Sequence, residues 1–123
     1  MIYADTCIEW IVSALACFKI HCAVVTLYTN LGPDGVAYGI THVEPKLIIT
    51  SHEMLSNLIS ILNESFKDKC CINRIVYFDQ PLTTGAKEVE NGSLNNFNVS
   101  PLRYIYSHHF LFRHLITPYI FPN

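Results

Sequence analysis

Apolar residues over the first eighty positions switch repeatedly between runs that suit a strand and spacings that suit a helix. Ile2, Tyr3 and Ala4 read as the end of a strand. Thr6 with Glu9 three residues on fits a capping box, which satisfies two orphan donors at a helix start. Ile8, Ile11, Val12, Leu15 and Phe18 follow at helical spacing and predict a single face buried against a sheet. Residues 23–27, AVVTL, form a short, nearly continuous apolar run, the pattern of a strand covered on both faces. Gly32-Pro33-Asp34 predicts a second helix, reaching about Thr41, because proline at a first helical position lacks an N–H that would be orphaned anyway and aspartate suits the positive end. Leu47, Ile48 and Ile49 predict a third buried strand. Thr50 with Glu53 repeats the capping box before Met54, Leu55, Leu58, Ile59, Leu62 and Phe66 mark a longer amphipathic helix. Arg74-Ile75-Val76-Tyr77-Phe78 reads as a fourth strand.

Strands alternating with helices at this spacing predict an α/β fold in which right-handed crossovers join a mainly parallel sheet. The expected architecture is a partial flavodoxin-like βαβαβαβ layer over residues 1–80. Residues 81–100 carry Gly85, Gly92, Ser93 and several Asn and Thr residues, and read as a loop or linker. Residues 101–123 form an apolar, aromatic tail expected to be irregular, since Pro101, Pro118 and Pro122 confine any helix to its middle.

Half of the 123 residues are hydrophobic and 15% are charged, which places the chain with globular domains. The net charge of −2 leaves no broad basic face for a phosphate backbone, so nucleic-acid binding is excluded as a function class. Five cysteines, Cys7, Cys17, Cys22, Cys70 and Cys71, form no C-x-x-C pair and read as reduced thiols. The N-terminal residues do not have the basic and apolar regions of a secretory signal, and no run of eighteen apolar residues is present to span a bilayer. Nothing in the sequence sets an oligomeric state.

Chemistry-bearing motifs are sparse. The first strand-helix junction, Ala4-Asp5-Thr6-Cys7, has none of the glycines that let a backbone approach a pyrophosphate. Thr83-Thr84-Gly85-Ala86-Lys87 reads as a surface loop, because it has no second glycine and no Pro-Lys-Gly ending. Asp5 and Asp79 are predicted at carboxyl ends of strands, where open α/β sheets bind ligands, yet a phosphoacceptor site would want a carboxylate after the third strand, where Thr50-Ser51 stands. Both aspartates are expected to be turn or helix-start residues. His108, His109 and His114 do not have i, i+4 spacing and have no nearby carboxylate, which argues against a metal site. Trp10 and Tyr28 are expected to pack in a core, and Glu9 to serve the helix start. No residue is assigned a catalytic, cofactor-binding or metal-ligating role.

Residues 4–40 carry a more specific signal: Ala4, Asp5, Thr6, Glu9 and Trp10, then Ala16-Cys17-Phe18, then Val24 through Tyr28, then Leu31-Gly32-Pro33 and Ala37-Tyr38-Gly39. In order and spacing these residues resemble the opening of the adenylate-forming (AMP-binding) domain of eukaryotic long-chain fatty acyl-CoA synthetases. Ile48-Ile49-Thr50-Ser51 and Ile75-Val76-Tyr77-Phe78-Asp79 extend the likeness to about residue 79. The resemblance implies a long-chain fatty acid-CoA ligase that uses ATP, Mg2+ and coenzyme A to activate a fatty acid through an acyl-adenylate, in the cytoplasm or at the cytosolic face of the endoplasmic reticulum. The family's nucleotide-binding and catalytic motifs lie downstream of the matched segment, so no cofactor is expected on this chain. The chain reads as a truncated fragment, incompetent by itself, with residues 101–123 an extension unrelated to the family. Two other readings follow from the residues: a non-enzymatic flavodoxin-like interaction or small-ligand module, and a tail whose Arg103, Arg113 and histidines among aromatic residues lie on a membrane surface.

Overall fold

The computed structural model of the chain describes residues 1–66, 71–78 and 98–102. Five strands, β1 (Ile2–Tyr3), β2 (Thr26–Leu27), β3 (Leu47–Ser51), β4 (Arg74–Phe78) and β5 (Val99–Leu102), form one sheet. Three helices, α1 (Ile8–Lys19), α2 (Pro33–Val43) and α3 (His52–Ser65), connect the first four strands. The strand order is β2-β1-β3-β4-β5 and every pairing is parallel. This is the flavodoxin-like doubly wound order. The fifth strand falls across the end of the predicted linker and the start of the predicted irregular tail, with Ile75 opposite Val99 and Phe78 opposite Leu102. Position 101 is a proline, a residue tolerated where a strand's outer N–H has no ladder partner.

Side-chain alternation along the strands divides the core into two. Tyr3, Ile48 and Ile75 point to one face, where Val36 and Ile40 of α2 and Leu55, Leu58, Ile59, Ile61 and Leu62 of α3 cover them. Burying the five α3 side chains contributes roughly 7–15 kcal/mol gross before conformational entropy is subtracted. Ile2, Ala4, Leu47, Ile49, Val76 and Phe78 point to the other face, where α1 supplies Ala14 and Cys17. The α2 helix approaches the sheet closely at Gly39, where a Cβ would stand 2.7 Å from Leu27 Cδ2.

The α1 helix corrects the sequence reading most strongly. Its large apolar residues do not face the sheet: Ile8 is 69% exposed, Leu15 61% and Phe18 59%, and Ile11 and Val12 are exposed too. The face laid on the sheet consists of Ser13, Ala14 and Cys17, with Trp10 half-buried beside them. Positions 10, 13, 14 and 17 follow the same 3.6-residue period as the larger set, so periodicity alone could not choose between the faces. Small side chains win because Ile2, Ile49, Val76 and Phe78 already fill the space beneath the helix.

Three local assignments also shift. The Thr6–Glu9 capping box does not form: the N-cap is Cys7, with no side-chain cap bond, and Glu9 sits in the first turn. At α3 the cap is Ser51, whose Oγ accepts from Met54 N at 3.4 Å, while Thr50 stays inside β3. The run at 23–27 is not a doubly covered strand, because β2 lies at the sheet edge, is two residues long and is partly exposed. Short edge strands limit unwanted pairing.

The C-terminus of α1 ends in a Schellman motif without glycine. Cys22 N donates to Cys17 O at 2.8 Å and His21 N to Phe18 O at 3.0 Å, with His21 in the left-handed region at φ 57°. Helix α2 closes at Glu44, also left-handed at φ 50°, and Pro45 prevents its continuation.

Candidate functional site

The strand order reverses between β1 and β3. The connection from β1 runs through α1 on one face, and that from β3 through α3 on the other, so the two diverge at the carboxyl edge and open a crevice there. Open α/β sheets bind ligands at such switch points. The crevice is bordered by Asp5 and Thr6 after β1, Tyr28 and Thr29 after β2, and Ser51 and His52 at the end of β3.

Beneath it, buried polar groups tie the two central strands together. Thr50 is fully buried, and its Oγ1 donates to Tyr3 O at 2.7 Å. The Tyr3 side chain is also fully buried, and its hydroxyl accepts from Asn57 Nδ2 of α3 at 3.2 Å. Met1 adds pairing before β1 begins: its nitrogen donates to Leu47 O at 2.8 Å and its carbonyl accepts from Ile49 N at 2.9 Å. At the surface, Thr29 Oγ1 donates to Asp5 Oδ1, bridging the ends of β1 and β2. The His52 ring leans on Tyr77 across the ends of β3 and β4, at 5.8 Å between centroids.

Asp5 is exposed and joined to Thr29, in keeping with a turn residue, and Trp10 packs against the second core as expected. Tyr28 does not pack: it is 79% exposed. Asp79, residues 83–87, Cys70 and the three tail histidines lie outside the described residues. Among the described residues, no group of three His, Cys, Asp or Glu could hold a metal, and no helix is long and apolar enough to cross a membrane.

The described cysteines, Cys7, Cys17, Cys22 and Cys71, are free thiols. Burial pushes the Cys17 thiol above its ordinary value, and burial does the same to Cys7. Such thiols are poor nucleophiles at neutral pH. Their role is packing: Cys17 and Cys22 occupy the two positions of the Schellman motif whose apolar contact closes the helix end.

The profile of the AMP-binding enzyme family matches residues 1–105, from before β1 to beyond β5. The chain belongs to the AMP-binding enzyme family. Long chain acyl-CoA synthetase 2 of Arabidopsis thaliana is 28% identical over 97 residues, covering 79% of this chain and 14% of that protein. Probable CoA ligase CCL6 of Humulus lupulus is 30% identical over 89 residues, 72% of this chain and 13% of the ligase. Long chain acyl-CoA synthetase 8 of Arabidopsis thaliana is 28% identical over 79 residues, 64% of this chain and 10% of that synthetase. The chain thus spans about one-seventh or less of the length of these relatives. No solved structure matches.

The family name implies a nucleotide, and the described residues of the crevice do not fit one. Its carboxylate, Asp5, would repel a phosphate chain, and residues 4–7 and 28–32 hold no Lys or Arg to offset that charge. Sequence reasoning missed three members of this AMP-binding segment's polar framework: Tyr3, Thr50 as a strand clamp, and Thr29. Tyr3 and Thr50 look like ordinary strand residues, and the Asp5–Thr29 bridge joins residues 24 apart in sequence.

Proposed function

We propose that the chain is a scaffold segment of a long-chain fatty acid-CoA ligase, an enzyme that activates a fatty acid with Mg-ATP to an acyl-adenylate and passes the acyl group to coenzyme A. The observation that carries this reading is the family match over residues 1–105, shared with relatives named as acyl-CoA synthetases and a CoA ligase. In the whole enzyme the segment's task is to hold strands and loops in register. Fatty acid, ATP, Mg2+ and coenzyme A are the ligands of that whole enzyme, which works in the cytoplasm or at the cytosolic face of the endoplasmic reticulum.

By itself the chain is inactive on this reading. Adenylate formation needs charge stabilisation around the transferred phosphate and accurate placement of the fatty carboxylate. The loops beside the switch point offer hydroxyls, an aspartate and an exposed tyrosine, which supply neither. The purified chain is expected to give no ATP-pyrophosphate exchange with palmitate above a protein-free blank. Turnover by the pure chain would overturn the reading.

A second reading, a stand-alone interaction or small-ligand module, is favoured by the presence of a buried cluster on each face of the sheet. A rise of the chain's urea midpoint with one of a panel of nucleotides and coenzymes would support it, whereas a midpoint that none of them moves would favour the scaffold segment.

A further inference from the structure

We infer that Cys17 and Cys22 form a thiol-disulfide exchange site, a pair that closes to an intramolecular disulfide at the end of α1 by reducing a low-molecular-weight disulfide. The backbone sets the distance. Cys22 N donates to Cys17 O at 2.8 Å across the Schellman turn. A carbonyl oxygen lies about 2.4 Å from its own α-carbon and an amide nitrogen about 1.5 Å from its own, so the two α-carbons are at most about 6.7 Å apart. A disulfide bridges α-carbons separated by about 4.4–6.8 Å. The same motif turns the two side chains toward each other, since the residues it joins make its apolar contact, and both pack into the cluster around Ile2 and Ala4. Burial and, after it, the neighbouring Cys22 raise the Cys17 thiol above its ordinary value, the second effect being that of a close neighbour.

No other described cysteine is placed to compete. Cys7 stands before the first turn of α1, about 15 Å along the helix from Cys17, and Cys71 packs with the cluster on the opposite face of the sheet. Cys22 is half-buried and meets a reagent first, whereas Cys17 is 5% exposed. The Cys22 thiolate attacks one sulfur of the small disulfide, expelling a thiolate and leaving a mixed disulfide. The Cys17 thiolate then attacks the Cys22 sulfur and expels the second small thiolate. Two protein thiols lose two electrons in all, the small disulfide gains them, and the two protein protons end on the two small thiols released. Little Cys17 is ionised, but its attack is intramolecular, and the high effective concentration offsets the small thiolate fraction. The closed ring also pins His21, held at φ 57° in a left-handed conformation that a non-glycine residue disfavours.

The test equilibrates the full 123-residue chain in buffers of graded reduced-to-oxidised glutathione ratio, quenches with acid, unfolds, alkylates the remaining thiols and maps tryptic peptides by mass. Cleavage after Lys19 separates the two cysteines unless a disulfide joins them, so the linked peptide pair identifies the bond. In the folded chain that pair should be half-formed at a ratio at least about tenfold more reducing than in the same chain unfolded in urea, because only the folded turn holds the sulfurs together. Cys22→Ser, a change at a half-buried position, should leave Cys17 alkylated throughout, and Cys17→Ser should stop at a glutathione mixed disulfide on Cys22. A linked pair that forms no more readily in the folded chain than in the unfolded one would overturn the inference. So would a wild-type chain that accumulates the mixed disulfide on Cys22 with Cys17 still alkylated, or one whose bridges involve only Cys7, Cys70 and Cys71.

Discussion

Replacing Ser13 by alanine should stabilise the chain. Ser13 lies in the middle of α1, is 1% exposed, and its Oγ has no hydrogen-bond partner among the described residues. Stranding a hydroxyl away from water costs about 1–3 kcal/mol. Alanine also has the higher helix propensity, by roughly 0.5 kcal/mol. Against these stands the packing lost with one oxygen atom, less than the roughly 0.8 kcal/mol of a buried methylene. The balance is a gain of about 1–2 kcal/mol, or a factor of about 5–30 in the folding equilibrium. With a urea dependence of about 1–3 kcal/mol per molar for a chain of this size, the midpoint should rise by roughly 0.5–1 M at unchanged slope. Ser13→Cys, which keeps the shape in a slightly larger side chain and weakens the polar group, should move the midpoint in the same direction by less. If both substitutions lower the midpoint, the hydroxyl has a partner that stabilises it, and the reasoning about this face of α1 fails.

His21 holds the left-handed position of the α1 Schellman motif, so His21→Gly should raise stability by about 0.5–1 kcal/mol, measured as a urea midpoint. A loss would mean that the imidazole makes a stabilising contact. Thr50→Val removes the donor to Tyr3 O and should cost about 1 kcal/mol. Tyr3→Phe should cost less, because its partner Asn57 is exposed and can bond water instead; the opposite order would show that the clamp sits in α3 and not between β1 and β3.

Much of the layer was legible from residue patterning, and the failures share a cause. The third and fourth strands, the Gly-Pro start of α2 and the apolar face of α3 each had one consistent interpretation, so local preference and burial agreed. At α1 two faces had equal claims, and the choice depended on what the sheet presents beneath the helix, which lies in strands as far along the chain as Phe78. The extent of β2 was overestimated because an apolar run does not reveal whether a strand is central or at an edge. The helix caps shifted by one residue because Cys7 and Ser51 are the extended residues immediately before each helix, and Thr50 is held one place back inside β3. The switch point was legible only as Asp5 at the end of the first strand; the clamp beneath it joins residues 47 apart, a separation that no local motif encodes.

The order in which the strands occur has a bearing on synthesis. Ile2 and Tyr3 belong to a central strand, yet they reach the ribosomal exit before either neighbour, and pairing with Thr26 and Leu27 offers only a two-residue ladder. The ladder with β3 is also two residues long but is reinforced by Met1 and the Thr50 hydroxyl, and it exists only after Ile49 and Thr50 have emerged. A nascent chain therefore carries an apolar β1 without its central partner, together with the exposed α1 stripe, while the roughly fifty residues from β1 to the end of β3 are made. At elongation rates of about 5–20 residues per second, that interval lasts seconds, long enough for a holdase to bind. Among the described strands, the one made first is joined on both sides only when the third has been made.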